Sequence, residues 1–216
     1  MSKILDSVKI RSGGEDEINL RLANLGRRSL FPLPHERQRR EFENITNALM
    51  NLHDGHSGQT VVFASSVKGE GTSFVSYNVA RFLSVIFDRS VAWIDGNFRS
   101  PQKKLQSEGV DFRSLLLDPD LVREIPEGDA LHVIPHGTAP VKSTSLLTSE
   151  NYLRVLKGLQ DKFFFTVIDG PPILDTVDSG HLAQPAMGLV LVVESRRLDR
   201  EVIRHGIQSV RSNNVN

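Results

Sequence analysis

The stretch Thr60-Val61-Val62-Phe63-Ala64-Ser65-Ser66-Val67-Lys68-Gly69-Glu70-Gly71-Thr72-Ser73-Phe74-Val75 sets out the architecture of this 216-residue chain. An apolar run over 60–64 has the length and β-branched content of a buried strand. A turn with two glycines follows, and then Phe74, Val75, Val79, Phe82, Leu83 and Ile86 recur at helical spacing. Strand, glycine-rich turn and helix N-terminus in that order present free N–H groups and the positive end of a helix dipole to an anion. The glycines permit backbone conformations that a side chain obstructs.

Working outward, further apolar runs at 91–94, 131–135, 163–168 and 189–193 alternate with helical patterns at 150–159 and 199–210. That alternation predicts an α/β fold: a doubly wound, mostly parallel sheet with helices on both faces. The helix after the first strand is then the crossover of a βαβ unit. Upstream, Phe42, Ile45, Leu49 and Leu52 fall on one face of an amphipathic helix over Glu36–Leu52 that ends near Asp54-Gly55. Residues 1–35 carry Arg11-Ser12-Gly13-Gly14 and Phe31-Pro32-Leu33-Pro34 and read as a flexible tail, leaving 36–216 as the folded domain.

Composition limits the functions. Lysine plus arginine equals aspartate plus glutamate, 26 of each, so no overall field draws the chain to nucleic acid or an anionic membrane. No cysteine is present, which excludes disulfides, thiolate metal sites and cysteine nucleophiles and fits the cytoplasm. No stretch reaches the ~18 apolar residues of a membrane span, so a soluble protein is expected. The seven histidines form no zinc-type pattern, His132 and His136 reading as surface or capping residues, and no GxGxxG fingerprint follows a predicted strand.

The end of the turn, Gly71-Thr72-Ser73, stands where a phosphate loop has Gly-Lys-Ser/Thr. Ser73 is placed to offer a hydroxyl to magnesium, but the lysine before it is Thr72. A lysine ammonium about 4 Å from a phosphate oxygen contributes on the order of 4 kcal/mol at an effective dielectric near 20, roughly a thousandfold in affinity. Either the turn has decayed into a structural element, or Lys68 supplies charge from the other side. Two acids end strands: Asp95 in Trp93-Ile94-Asp95-Gly96-Asn97-Phe98-Arg99-Ser100-Pro101, and Asp169 in Val167-Ile168-Asp169-Gly170-Pro171-Pro172. Ligands of open α/β sheets gather at that edge, where an acid binds metal or orients water; singly, each aspartate is more often a cap or turn former, and together with the glycine-rich turn a remnant nucleotide site is the better explanation.

Together these segments resemble the cytoplasmic domain of the bacterial tyrosine kinases of capsule and exopolysaccharide export, relatives of the MinD and ParA ATPases. The resemblance rests on Gly69-Glu70-Gly71 with Ser73, on Asp95 with Arg99 and Pro101, and on Asp169 with Pro171 and Pro172, with support from Asn78 and Leu146-Leu147-Thr148-Ser149. It implies a nucleotide site with Asp95 and Asp169 as catalytic acids, and Ser73, Asp95 and Asp169 at a magnesium ion. Lys68, Gly69, Glu70, Gly71, Thr72, Ser73, Asn97 and Arg99 would line ATP or ADP where the site is competent, and no cofactor is bound where it is not. The implied partner is a membrane polysaccharide co-polymerase or another component of that machinery, with the chain peripheral at the inner face of the cell membrane.

The departures are Thr72 for lysine and Asn97 for the family's second acid. The family's ring-building arginines face Glu41-Phe42-Glu43-Asn44-Ile45-Thr46-Asn47 here, which puts homo-oligomer formation by that route in doubt. The family's tyrosine-rich tail has no counterpart, since only Tyr77 and Tyr152 occur. The expectation is a degenerate P-loop ATPase-like regulatory or interaction subunit; the alternative is an active ATP-binding kinase or ATPase. Cargo positioning in the manner of MinD or ParA rests on fold analogy alone.

Overall fold

Strands β1 (Gln59–Ser65), β2 (Val91–Asp95), β3 (Leu131–Ile134), β4 (Phe165–Asp169) and β5 (Gly188–Val192) form one all-parallel sheet in the order β3-β2-β4-β1-β5. The computed structural model describes residues 18, 20–22, 24, 30–53, 55, 58–99, 109–126, 128–137 and 143–211. The helices are α1 (Glu36–Leu52), α2 (Thr72–Ile86), α3 (Phe112–Leu117), α4 (Ser143–Leu147), α5 (Glu150–Lys162), α6 (Asp178–Ala183) and α7 (Arg200–Arg211), with a 3-10 turn over Pro119–Glu124.

Alternate residues of the central strands feed two cores, as the period of two in a strand requires. Val61, Phe63, Trp93 and Val167 pack with α1 and α2 on one face, where Trp93 Nε1 donates to Ser76 Oγ at 3.0 Å. Val62, Ala64, Ile94 and Ile168 pack with α3, α5 and α6 on the other. Covered on both faces, β1, β2 and β4 read as the continuous apolar runs of the sequence.

Two details differ from the periodicity reading. Leu52, placed there on the apolar face of α1, is 71% exposed at the helix end; Thr46 takes a buried position instead by turning its hydroxyl back to the Phe42 carbonyl at 2.7 Å. Among the described residues before 36, Leu22 is buried and Phe31 lies against Phe74 and Tyr77, so these two side chains join the core beneath α2. Buried Arg81 holds the Phe31 carbonyl and sits over the Tyr77 ring. Arg11 to Gly14 lie outside the described residues, as do Ser100 and Pro101.

The strand order sets the site. β4 lies between β1 and β2, so the turn leaving β1 and the ends of β2 and β4 share one edge, with Asp95 the register partner of Asp169 and Phe63 its partner on the other side. The chain leaving β4 follows the chain leaving β1, through Ile173 N–H to Ser65 O at 2.8 Å and Leu174 N–H to Ser66 O at 3.3 Å.

Candidate nucleotide site

The turn between β1 and α2 takes the shape its glycines allow. Gly69 and Gly71 have φ of 91° and 85°, the left-handed region that disfavours other residues. Gly71 caps α2, and its carbonyl accepts from Val75 N–H at 3.0 Å. Glu70 is the anchor of the turn: buried, it accepts Val67 N–H at 3.0 Å and, from the end of β5, Glu194 N–H at 3.1 Å. Its carboxylate therefore turns into the protein and does not line the cavity, in contrast to the ligand contact the resemblance implied.

A cavity of about 350 Å³ opens at this edge. Of the residues singled out in the sequence, Lys68, Gly69, Gly71, Thr72, Ser73, Asn97, Arg99 and Asp169 line it, with Phe31, Phe74, Pro171 and Pro172 supplying apolar wall. Thr72 is 9% exposed at the first position of α2, where the pattern calls for the lysine. A hydroxyl stands there in place of an ammonium.

Of the two acids, Asp169 is part of the cavity wall and Asp95 lies behind it. Asp169 is 2% exposed and its Oδ1 has no hydrogen-bond partner. Burial pushes its carboxyl up to about 8, Asp95 adds to the rise, and the Ser73 and Ser76 hydroxyls oppose it. Asp95 is fully buried and does not line the cavity itself; Oδ1 accepts Asn97 N–H at 3.1 Å, and Oδ2 lies 3.4 Å from His136 Nδ1. His136 thus reaches the site from the end of β3, although its sequence setting read as surface or capping.

This donor set suits a hard cation. An orphaned carboxylate oxygen and the Ser73 hydroxyl, both in the cavity wall, are oxygen ligands of the kind magnesium takes, together with phosphate oxygens and water. Among the described residues no three His, Asp or Glu side chains converge as a cage, so an ion here would depend on its nucleotide and solvent for the rest of its shell. Among the described residues, the N–H groups of Gly69, Glu70, Gly71 and Thr72 find no protein acceptor, and donors of this kind at a helix start suit an anion.

Sequence reasoning missed the support of Arg99. Its Nε lies 3.5 Å from Asp178 Oδ2, and Asp178, 1% exposed at the start of α6, also accepts from Ser143 Oγ at 2.7 Å and Thr144 Oγ1 at 2.9 Å. The only sequence signal was an acid at a helix start, which reads as a cap. Tyr77 and Tyr152 are 2% and 1% exposed, and the Tyr152 hydroxyl donates to Leu182 O at 2.7 Å.

No family model matches the chain. Among curated proteins it is similar to the tyrosine-protein kinase CpsD of Streptococcus agalactiae, 24% identical over 182 residues that cover 77% of this chain and 76% of CpsD. Against CpsD of Streptococcus pneumoniae it is 24% identical over 183 residues, 78% of each chain. Among solved structures, the kinase domain of the Escherichia coli tyrosine kinase ETK superposes with a TM-score of 0.71 at 18% identity, covering 81% of this chain and 71% of that one. The chimerical protein CapA2B2 gives 0.69 at 22%, covering 81% and 79%. A ParA family ATPase from Chlorobium tepidum gives 0.51 at 14%, covering 71% and 67%. By sequence this chain is similar to bacterial tyrosine kinases, and it has the parallel α/β fold seen in tyrosine kinase domains and in a ParA family ATPase.

Proposed function

We propose that this chain is a degenerate P-loop ATPase-like protein that acts as a regulatory or interaction subunit in capsule or exopolysaccharide synthesis and export. The observation that carries the reading is Thr72, a nearly buried hydroxyl where phosphoryl transfer needs a lysine. Asn97 in place of a second acid removes a further charge, and both tyrosines are too enclosed to serve as phosphoacceptors. ATP or ADP with magnesium, if held, would rest on the N–H groups of 69–73, Ser73 and Asp169; magnesium would supply charge neutralisation at the phosphates. Arg99 would meet the ligand from the Asp178 side, with Lys68 opposite.

The partner class is a membrane polysaccharide co-polymerase or a neighbouring component of that machinery, with the chain at the cytoplasmic face; self-association and nucleic-acid binding are not required. Among the described residues no helix is long and apolar enough to cross a membrane. The test is magnesium-dependent ATP turnover by the purified protein, for which the reading requires a rate at background.

The second reading, an active ATPase or tyrosine kinase, is favoured by the orphaned Asp169 oxygen and by Lys68 and Arg99 in the cavity wall. It requires turnover that Asp169→Ala abolishes.

A further inference from the structure

The turn over 66–73 is gripped from its outer side by a residue 128 positions away. Arg197 Nη1 donates to the Gly69 carbonyl at 2.6 Å and Nη2 to the Lys68 carbonyl at 2.8 Å, while Nη1 also meets Glu194 Oε2 at 2.7 Å. Arg196, at φ 66°, makes the tight turn that aims it. The guanidinium is not part of the cavity wall. A Cβ on Gly69 would stand 3.0 Å from Nη2, so glycine is needed there for the approach as well as for its φ.

These two carbonyls share peptide planes with the N–H groups of Gly69 and Glu70. In a trans peptide C=O and N–H point in opposite directions, so groups bonded outward to Arg197 turn their N–H partners the other way. Neither N–H has a protein acceptor. A donor on the carbonyl polarises its peptide and strengthens the N–H on the far side. The cation adds its own field from a position fixed by Glu194, whose backbone N–H is in turn bonded to Glu70. The oxygen of Asp169 that has no partner, in the same cavity, independently marks a place for a cation-bound ligand.

We propose that Arg197 is the cationic back wall of this turn: it charges and polarises the Gly69 and Glu70 N–H groups so that the cradle retains affinity for a di- or triphosphate group without a lysine at 72. The inference rests on reading the turn as a phosphate cradle, and it assigns to the exit of β5 a role in ligand binding that no motif there announces.

The probe is inorganic pyrophosphate, titrated into the parent, Arg197→Gln and Arg197→Lys while the amide resonances of Gly69 and Gly71 are followed. Glutamine keeps a donor for the carbonyls and removes the charge; lysine keeps the charge. The expected result is saturable shifts in the parent at millimolar pyrophosphate, affinity reduced about tenfold in the glutamine variant at an unchanged melting temperature, and affinity close to the parent in the lysine variant. Equal binding by parent and a folded glutamine variant overturns the proposal, as does a parent whose two amides do not respond. Should the glutamine variant not fold, a folded lysine variant decides: parent-like affinity supports the proposal, and lost affinity overturns it. ATP turnover by the parent would overturn the degenerate reading above and leave this result standing.

Discussion

Asp95 and Asp169 are register partners at the ends of adjacent strands; Asp95 accepts the Asn97 amide and lies 3.4 Å from His136 Nδ1, while Asp169 meets the Ser73 and Ser76 hydroxyls. Asp169 keeps an oxygen without a partner and a carboxyl raised to about 8, chiefly by burial. Without a cation, it is a largely neutral acid at neutral pH.

That state makes stability fall with rising pH. A carboxyl whose folded value of about 8 exceeds its unfolded 3.8 binds more protons when folded, so it contributes stability that is complete below about pH 4 and lost progressively up to about pH 8. Asp169→Asn removes this slope. Melting curves should show the variant gaining on the parent from about pH 4 to about pH 8, with the difference level above the folded value; a pH-independent difference would show that Asp169 is not the source.

The Glu70 anchor should be worth more than a surface contact, since its carboxylate is buried on two backbone donors from distant segments. Glu70→Ala strands both N–H groups and should cost about 1–3 kcal/mol. Thermal unfolding measures the loss, and hydrogen exchange at Val67 and Glu194 should speed up together. Faster exchange at one amide alone would mean that the two segments are not coupled through this side chain.

Removing the Asp178 carboxylate should loosen two elements at once. Asp178→Ala leaves the Ser143 and Thr144 hydroxyls and the Arg99 guanidinium without their common acceptor, at a cost on the order of 2 kcal/mol. Denaturant titration gives the magnitude, and a loss below about 0.5 kcal/mol would place Asp178 among ordinary surface residues.

Tyrosine phosphorylation should be absent. Tyr77 and Tyr152 are enclosed by the core, so incubation with magnesium and ATP should leave both unmodified by mass spectrometry. A phosphate on either would require the domain to open.

The sheet and the site edge were legible because the strands covered on both faces announce themselves as apolar runs, each closed by the turn or acid that defines the edge. α3, α4 and α6 were not legible, being six residues or fewer and too short for helical periodicity. Leu52 was misplaced because periodicity cannot tell where a helix stops being covered. The supports of the site were hidden for another reason: Glu70 to Glu194 spans 124 residues and Arg197 to Gly69 spans 128, and no local pattern encodes such contacts. His136 and Asp178 belong to the same class, ordinary in their own segments and significant only where β2 and the turn after it bring Asp95 and Arg99 to them.

The central claim is that the hydroxyl of Thr72 has removed the charge on which ATP binding and turnover depend. Calorimetric titration with ATP and magnesium of the parent beside Thr72→Lys tests it most directly. The account predicts no saturable heat from the parent at micromolar nucleotide and a gain of at least tenfold, approaching a thousandfold, in the lysine variant. Micromolar binding by the parent, accompanied by turnover that Asp169→Ala abolishes, would contradict it.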